Sequence, residues 1–174
     1  MKPGDEILKE RARELSKVLG SADENSLQSL TMTGFYMAPD HYCFESHFLR
    51  EVMSLKDLTF IPGVPDFIAG IINLRGQIMS VMNLRKFLDL RETGIYEQNK
   101  IIIVSHKGNE AGILVDRIDG LFRVPASEID AAIPGFGGKG AEFVKGITKN
   151  GVIVMDFETL MESNKIFVKN KRIK

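Results

Sequence analysis

The chain predicts a mainly β protein of the sandwich or barrel class. Short apolar runs recur through most of its length, turns containing Gly, Pro, Asn and Asp separate them, and helical periodicity is confined to the two ends. The first end is Asp5 to Leu19, where Leu8, Ala12, Leu15 and Leu19 fall on one helical face. Glu6/Lys9, Glu10/Arg13 and Glu14/Lys17 are i,i+3 pairs of opposite sign that support it. Gly20 supplies a stop, and the polar stretch Ser21 to Ser26 reads as a linker. The chain therefore divides into a helix and linker at 1–26, a main domain at 27–164 and a basic tail at 165–174.

Within the main domain, Leu27 to Met37 and Tyr42 to Leu55 read as strands joined by the turn Ala38-Pro39-Asp40-His41. Ile68 to Asn73 and Gln77 to Asn83 are short strands on either side of Arg75-Gly76, and Leu84 to Leu88 is one helical turn. The continuous apolar run Ile101 to Ser105 marks a buried strand, and Ala111 to Val124 a long one after the turn Lys107-Gly108-Asn109-Glu110. Asp119-Gly120 invites a hairpin reading, but the alternation continues through it, so a bend or bulge is expected. Phe143 to Thr148 and Val152 to Asp156 flank Asn150-Gly151, a two-residue hairpin signal, and Phe157 to Phe167 reads as a terminal helix. The core is expected from Ile72, Leu74, Val81, Ile102, Val104, Ile113, Val115, Ile147 and Val154.

Composition narrows the function classes. At 174 residues the chain suits one domain or two intimately packed small ones, and 44% hydrophobic with 26% charged is an ordinary globular balance. Net charge is zero, so no global field favours nucleic acid or a membrane surface. A single cysteine, Cys43, excludes an internal disulfide framework. No apolar run is long enough to span a bilayer, and Met1-Lys2-Pro3-Gly4-Asp5-Glu6 lacks an export core, which makes a cytoplasmic location the expectation.

Four constellations carry possible chemistry. Gly135-Phe136-Gly137-Gly138-Lys139-Gly140 matches G-x-G-x-x-G, but Ile133-Pro134 precedes it and a strand-like segment follows, whereas a dinucleotide site needs a strand before and a helix after. As a P-loop it lacks the Ser or Thr, since Gly140 stands there; a surface loop is expected. His41, Cys43 and His47 offer soft donors, yet on one strand they span roughly 20 Å and cannot converge on a metal. A Cys–His nucleophile pair lacks an orienting third group, so Cys43 reads as a small hydrophobe. The cations Lys165, Lys169, Lys171, Arg172 and Lys174 read as a solvated tail. Arg75 and Glu51, each set in an apolar run, both need solvent or a partner: two independent surface charges or a mutual ion pair at a strand rim satisfy this equally.

The run Phe60-Ile61-Pro62-Gly63-Val64-Pro65 through Ile72-Asn73-Leu74-Arg75-Gly76 to Asn83-Leu84-Arg85 closely resembles the signature of the CheW-type chemotaxis adaptor family. Ala111-Gly112-Ile113-Leu114-Val115-Asp116 continuing to Pro125, and Phe143-Val144-Lys145-Gly146-Ile147 followed by Val152 to Asp156 and a terminal helix, extend the resemblance, which spans about Leu27 to Glu162. It implies two small five-stranded SH3-like barrels sharing a hydrophobic core. It also implies a non-enzymatic scaffold, without cofactor or metal, that bridges a chemoreceptor's cytoplasmic tip to the regulatory domain of a CheA-type histidine kinase. The resemblance suggests a receptor groove lined by Leu49, Arg75, Ile101, Gly112 and Leu121, and a kinase patch containing Glu51, Val52 and Gly70. It also favours the Glu51–Arg75 ion pair over two separate charges. Ser80 and Asn83 depart from the family's usual proline and aspartate, and leave open an auxiliary scaffold in another motility pathway.

Two readings from other classes compete. A barrel binding nucleic acid or polysaccharide needs surface aromatics on a basic stripe, but the chain has no Trp and three Tyr. A small hydrolase built on Cys43 needs converging polar groups that the sequence does not supply. Neither nucleic acid nor direct membrane insertion is expected of the adaptor.

Overall fold

The computed structural model describes residues 6–14, 28–131, 137–163 and residue 166. Residues 6–14 are helical (α1) and exposed throughout. Eleven strands follow: β1 (Ser29–Met37), β2 (Asp40–Glu45), β3 (Leu49–Ser54), β4 (Ile68–Leu74), β5 (Gln77–Asn83), β6 (Lys100–His106), β7 (Asn109–Val115), β8 (Arg117–Pro125), β9 (Ile129–Asp130), β10 (Val144–Thr148) and β11 (Ile153–Met155). Two short helices, α2 (Leu84–Phe87) and α3 (Phe157–Glu162), complete the list.

The strands form two mixed sheets, ordered β8-β1-β2-β11-β10-β9 and β3-β6-β7-β5-β4. The fold is mainly β and divides into two SH3-like halves; the first has six strands rather than five because the two-residue β9 pairs with β10. The chain begins in the first sheet, crosses to the second through the 3-10 turn Ser46–Phe48, and returns at Asp116. The expected strand Tyr42 to Leu55 is thus two strands in two sheets, and Ala111 to Val124 is likewise cut at Asp116.

Alternation along each strand divides the apolar side chains among three clusters. Met32, Cys43, Val124, Val152 and Val154 fill the first sheet's own interior. Ile72, Met79, Val81, Ile101, Ile103 and Leu114 fill the second's. Between them lies a shared core that includes Phe35, Tyr42, Phe44, Phe48, Met82, Ile102, Val104, Ile113 and Phe157. The period of two explains the division, since neighbours such as Tyr42 and Cys43, or Ile101 and Ile102, project to opposite faces. Of the expected core, Leu74 and Ile147 are half-buried and the rest are buried.

The turns follow local chemistry. Arg75 (φ +52°) and Gly76 (φ +84°) form a two-residue loop with both angles positive, the type I′ geometry that matches strand twist. Asn73 Oδ1 accepts from Gly76 N at 2.9 Å and fastens it. At Asn150-Gly151 the loop is one residue longer than expected: Thr148 N donates to Val152 O at 2.9 Å, leaving Lys149, Asn150 and Gly151 in the turn. The β8 strand runs through Asp119-Gly120 with a register shift against Gly34/Phe35, which is the expected bulge. Asn83 caps α2, its Oδ1 accepting from Lys86 N at 3.4 Å, so the residue standing in for aspartate keeps a capping oxygen.

The terminal helix ends at Glu162 instead of Phe167. Ser163 takes an extended conformation as C-cap, and Ile166 is buried in the shared core. The residues of the first helix beyond 6–14, the linker, Ile133-Pro134 and most of the basic tail lie outside the described residues. Leu8 and Ala12 do not dock on the barrels; Leu8 is 66% exposed.

Candidate interaction surfaces

The two edge strands of the second sheet, β3 and β4, curl toward each other. Thr59, downstream of β3, bridges Ile71 on β4 through paired backbone hydrogen bonds of 2.8 Å. At the other end of this seam Arg75 Nη2 lies 3.0 Å from Glu51 Oε2. The anticipated pair is therefore formed between the tip of the β4–β5 hairpin and β3. The Arg75 side chain is 73% exposed and that of Glu51 27%, so the pair sits at the surface with its carboxylate half sheltered.

Val52, beside Glu51, is an exposed apolar residue on the edge strand. Gly70 differs from these neighbours because it is buried, and a β-carbon there would stand 2.4 Å from Thr59 O. It allows the Thr59 segment to lie against β4, and touches no exposed surface itself. Gly70→Ala is expected to cost about 1–3 kcal/mol through backbone strain and displacement of that segment. Chemical denaturation checks this; an unchanged midpoint with weakened partner binding would make Gly70 a contact instead.

The five residues suggested for a receptor groove separate. Ile101 is fully buried within the second sheet's interior. Gly112 belongs to the same interior, where an added β-carbon would meet Ile101 Cγ2 at 3.0 Å and Val81 Cγ2 at 3.1 Å. Neither offers a side chain to a partner; the reason is the alternation that puts them on the face opposite Ile102 and Val104. Leu49 is half-buried against the shared core. Leu121 is 65% exposed on β8, paired across the strand with Thr33, whose hydroxyl lies 3.0 Å from Ser46 Oγ at the crossover leading into Leu49. Leu49 and Leu121 thus flank the junction of the two sheets, while Arg75 lies at the hairpin tip.

A second junction was not legible in the sequence. Asp116 sits where the chain leaves the second sheet for the first. Its Oδ2 accepts from Arg85 Nη2 at 2.6 Å and from Ala38 N at 2.7 Å, and its Oδ1 from Asn99 Nδ2 at 3.4 Å. Arg85 also donates to Ala38 O at 2.9 Å and Arg91 O at 3.3 Å, and its side chain is only 8% exposed. One carboxylate thereby ties α2, Asn99 at the entry to β6, and the β1–β2 turn. Arg85 and Asp116 both belong to motif segments in the sequence, but nothing in their spacing announced that they meet.

Cys43 is buried in the first sheet's interior, and burial pushes its thiol up to about 12. The nucleophilic thiolate is therefore not present at neutral pH. The expected result is that Cys43 of the folded chain resists a thiol reagent and reacts at once in denaturant; rapid labelling of the native protein would contradict its placement. His47 turns away to Glu45, 3.4 Å from its Oε2. The described part of the glycine motif, Gly137 to Gly140, leads into a single 3-10 turn, Ala141–Phe143, and then β10, which is not the strand–loop–helix of a phosphate site. His106, Glu158 and Glu162 bring ligand atoms within 4.8 Å of one another, but Lys107 already pairs with Glu162. That hydrogen bond, then the one from His106, holds the exposed Glu162 carboxyl below its ordinary range.

The CheW-like domain model matches residues 31–165. The chain is similar to the chemotaxis protein CheW of Bacillus subtilis (strain 168), 34% identical over 60% of this chain and 67% of that protein. It is similar also to the chemotaxis protein CheW of Treponema pallidum (strain Nichols), 25% identical over 80% of this chain and 86% of that protein. Among solved structures, the scaffolding protein TtCheW from Thermoanaerobacter tengcongensis superposes with a TM-score of 0.69 at 29% identity, covering 80% of this chain and 97% of that one. The match runs from β1 through α3 and includes both sheets, the Glu51–Arg75 seam and the Asp116 junction, so the chain belongs to the CheW-like domain family.

Proposed function

We propose that this chain is a non-enzymatic adaptor in chemotaxis signalling, coupling the cytoplasmic tip of a chemoreceptor to the regulatory domain of a CheA-type histidine kinase. The observation that carries the reading is the family membership together with two exposed apolar positions on different sheets. Val52 flanks the Glu51–Arg75 seam of the second sheet, and Leu121 lies beside the junction on the first. An adaptor needs two separate faces to hold two partners at once, and charges beside apolar contacts fix register more than they add affinity. The kinase face is assigned to Val52 and the Glu51–Arg75 pair, with Gly70 supporting it from beneath. The receptor face is assigned to Leu121 and Leu49 at the sheet junction; Ile101 and Gly112 lie in the second sheet's interior, and Arg75 stands at the hairpin tip beside the kinase face. A helical receptor hairpin laid along the sheet junction fits helix-in-groove recognition. Individually modest contacts gain strength when many copies assemble.

The test is a three-component sedimentation. A CheA-type kinase from the same source, receptor-bearing membranes and the full chain are mixed and spun. The kinase is expected to pellet with the membranes at least several-fold more when the chain is present. Equal kinase in the pellet with and without the chain would reject the adaptor role.

A further inference from the structure

We propose that His106, Glu158 and Glu162 form a binding site for a divalent transition-metal ion of the Zn2+ kind, which ties the terminal helix to the second sheet. The three side chains each present a ligand atom, and these atoms lie within 4.8 Å of one another. None of the three belongs to the receptor or kinase faces, and the site goes beyond the metal-free scaffold that the family resemblance implies.

The fold brings these residues together from its two halves. Helix α3 follows β11 of the first sheet and buries Phe157, Leu160 and Met161. That packing fixes its orientation, so Glu158 and Glu162, one turn apart, share an outward face. His106 ends β6 of the second sheet. Its ring lies 5.3 Å from that of Phe48 and its side chain is only 15% exposed, so it meets the helix as a sheltered, positioned donor. Its Nε2 lies 3.3 Å from Glu162 Oε1. Ligand atoms on a tetrahedral Zn2+ with bonds of roughly 2.0–2.2 Å stand roughly 3.3–3.5 Å apart, so this pair already has the separation of a coordination edge. Glu158 is exposed, and rotation about its side-chain bonds closes the remaining gap. Two exposed acids alone would be an ordinary surface; the imidazole sets this cluster apart. One nitrogen and two carboxylate donors suit Zn2+ and its transition-metal neighbours over Mg2+ or Ca2+, which take oxygen donors. A fourth position is left to water.

Lys107 is the competitor. Its Nζ contacts the same Glu162 Oε1, so the chain supplies the cluster with a cation of its own. Lys107 takes φ +48° in a two-residue turn with Gly108 (φ +80°), a conformation that costs a lysine energy. The Lys107 side chain is 67% exposed, and an ion pair so open to water is weak enough for a metal to displace. Removing the ammonium therefore strengthens metal binding. The bound ion spans α3 and β6, a site that the unfolded chain lacks, and so favours the folded protein.

The experiment is a calorimetric titration of the full chain with ZnCl2 after chelator treatment, alongside nuclear magnetic resonance of the rings of its three histidines. One ion per chain is expected, with a Kd below about 100 μM. The His106 ring is expected to shift while those of His41 and His47 stay in place. His106→Gln and Glu158→Gln should each weaken binding about tenfold or more, and Lys107→Ala should strengthen it about twofold or more. The melting temperature should rise with Zn2+ concentration and lose that rise in His106→Gln. Absence of saturable binding, undiminished binding in His106→Gln, weaker binding in Lys107→Ala, or a response confined to His47 and its partner Glu45 overturns the proposal. The ring shifts of the parent chain decide alone if a variant misfolds. Loss of the adaptor reading would leave every one of these measurements unaffected.

Discussion

Asp116→Ala is expected to destabilise the protein by about 3–5 kcal/mol, the largest single loss outside the apolar cores, because it strands a buried cation. The Arg85 side chain is 8% exposed and, among the described residues, its one anionic partner is Asp116. Without the carboxylate, the guanidinium keeps only the carbonyls of Ala38 and Arg91, while Ala38 N and Asn99 lose an acceptor. The reverse change is gentler. The Asp116 side chain is 28% exposed and recovers water when its partner goes, so Arg85→Met should cost about 1–3 kcal/mol. Urea denaturation of both variants measures the difference. Equal losses, or an Asp116→Ala loss below about 1 kcal/mol, would mean that the shared apolar core alone sets how the two sheets meet.

Arg75→Ala is expected to do the opposite, weakening partner binding at least tenfold while stability moves by about 0–1 kcal/mol. The pair with Glu51 is mostly exposed, so water and salt screen it in the folded chain. At an interface that excludes water the same charges fix register and are costly to leave unmatched. The backbone sharpens the prediction. Arg75 holds φ +52° in a two-residue turn, a conformation that favours glycine or asparagine and costs other residues energy. An arginine in that strained position points to use of its side chain rather than to its turn propensity. Arg75→Gly should therefore fold at least as stably as the parent and still bind poorly. A large loss of stability in either variant would make Arg75 structural.

Much of this fold could be read from the residues, and the reasons are local. The β4–β5 hairpin follows from an apolar run on each side of Arg75-Gly76, and the bulge at Asp119-Gly120 from alternation that does not stop there. The missed elements depend on distant partners. Between Tyr42 and Leu55 the polar trio Glu45-Ser46-His47 interrupts the apolar pattern only briefly, and by itself does not say that the 3-10 turn at Ser46–Phe48 hands the chain to the other sheet. Helical periodicity continued past Glu162, but burial of Ile166 in the shared core turns the chain out of the helix. The same contrast governs the surfaces. Glu51 and Arg75 stood out because a charge inside an apolar run demands an explanation, but the residues alone allowed two separate surface charges equally, and it was the family resemblance that favoured the pair. Ile101 and Gly112 were assigned to a groove that alternation assigns to the interior, since the run Ile101 to Val104 is buried on both faces. The Arg85–Asp116 contact joins residues 31 apart in sequence, and no periodicity links them.

Two substitutions, Leu121→Lys and Val52→Lys, test the central claim most directly: that one small scaffold carries separate receptor and kinase faces. Both side chains are exposed, so both variants should fold, which circular dichroism and melting confirm before binding is measured. Binding of each variant to receptor-bearing membranes and to the kinase regulatory domain is then titrated separately. Leu121→Lys is expected to lose receptor binding at least tenfold and keep kinase binding, and Val52→Lys to do the reverse. Two folded variants that bind both partners as the parent does would contradict the account.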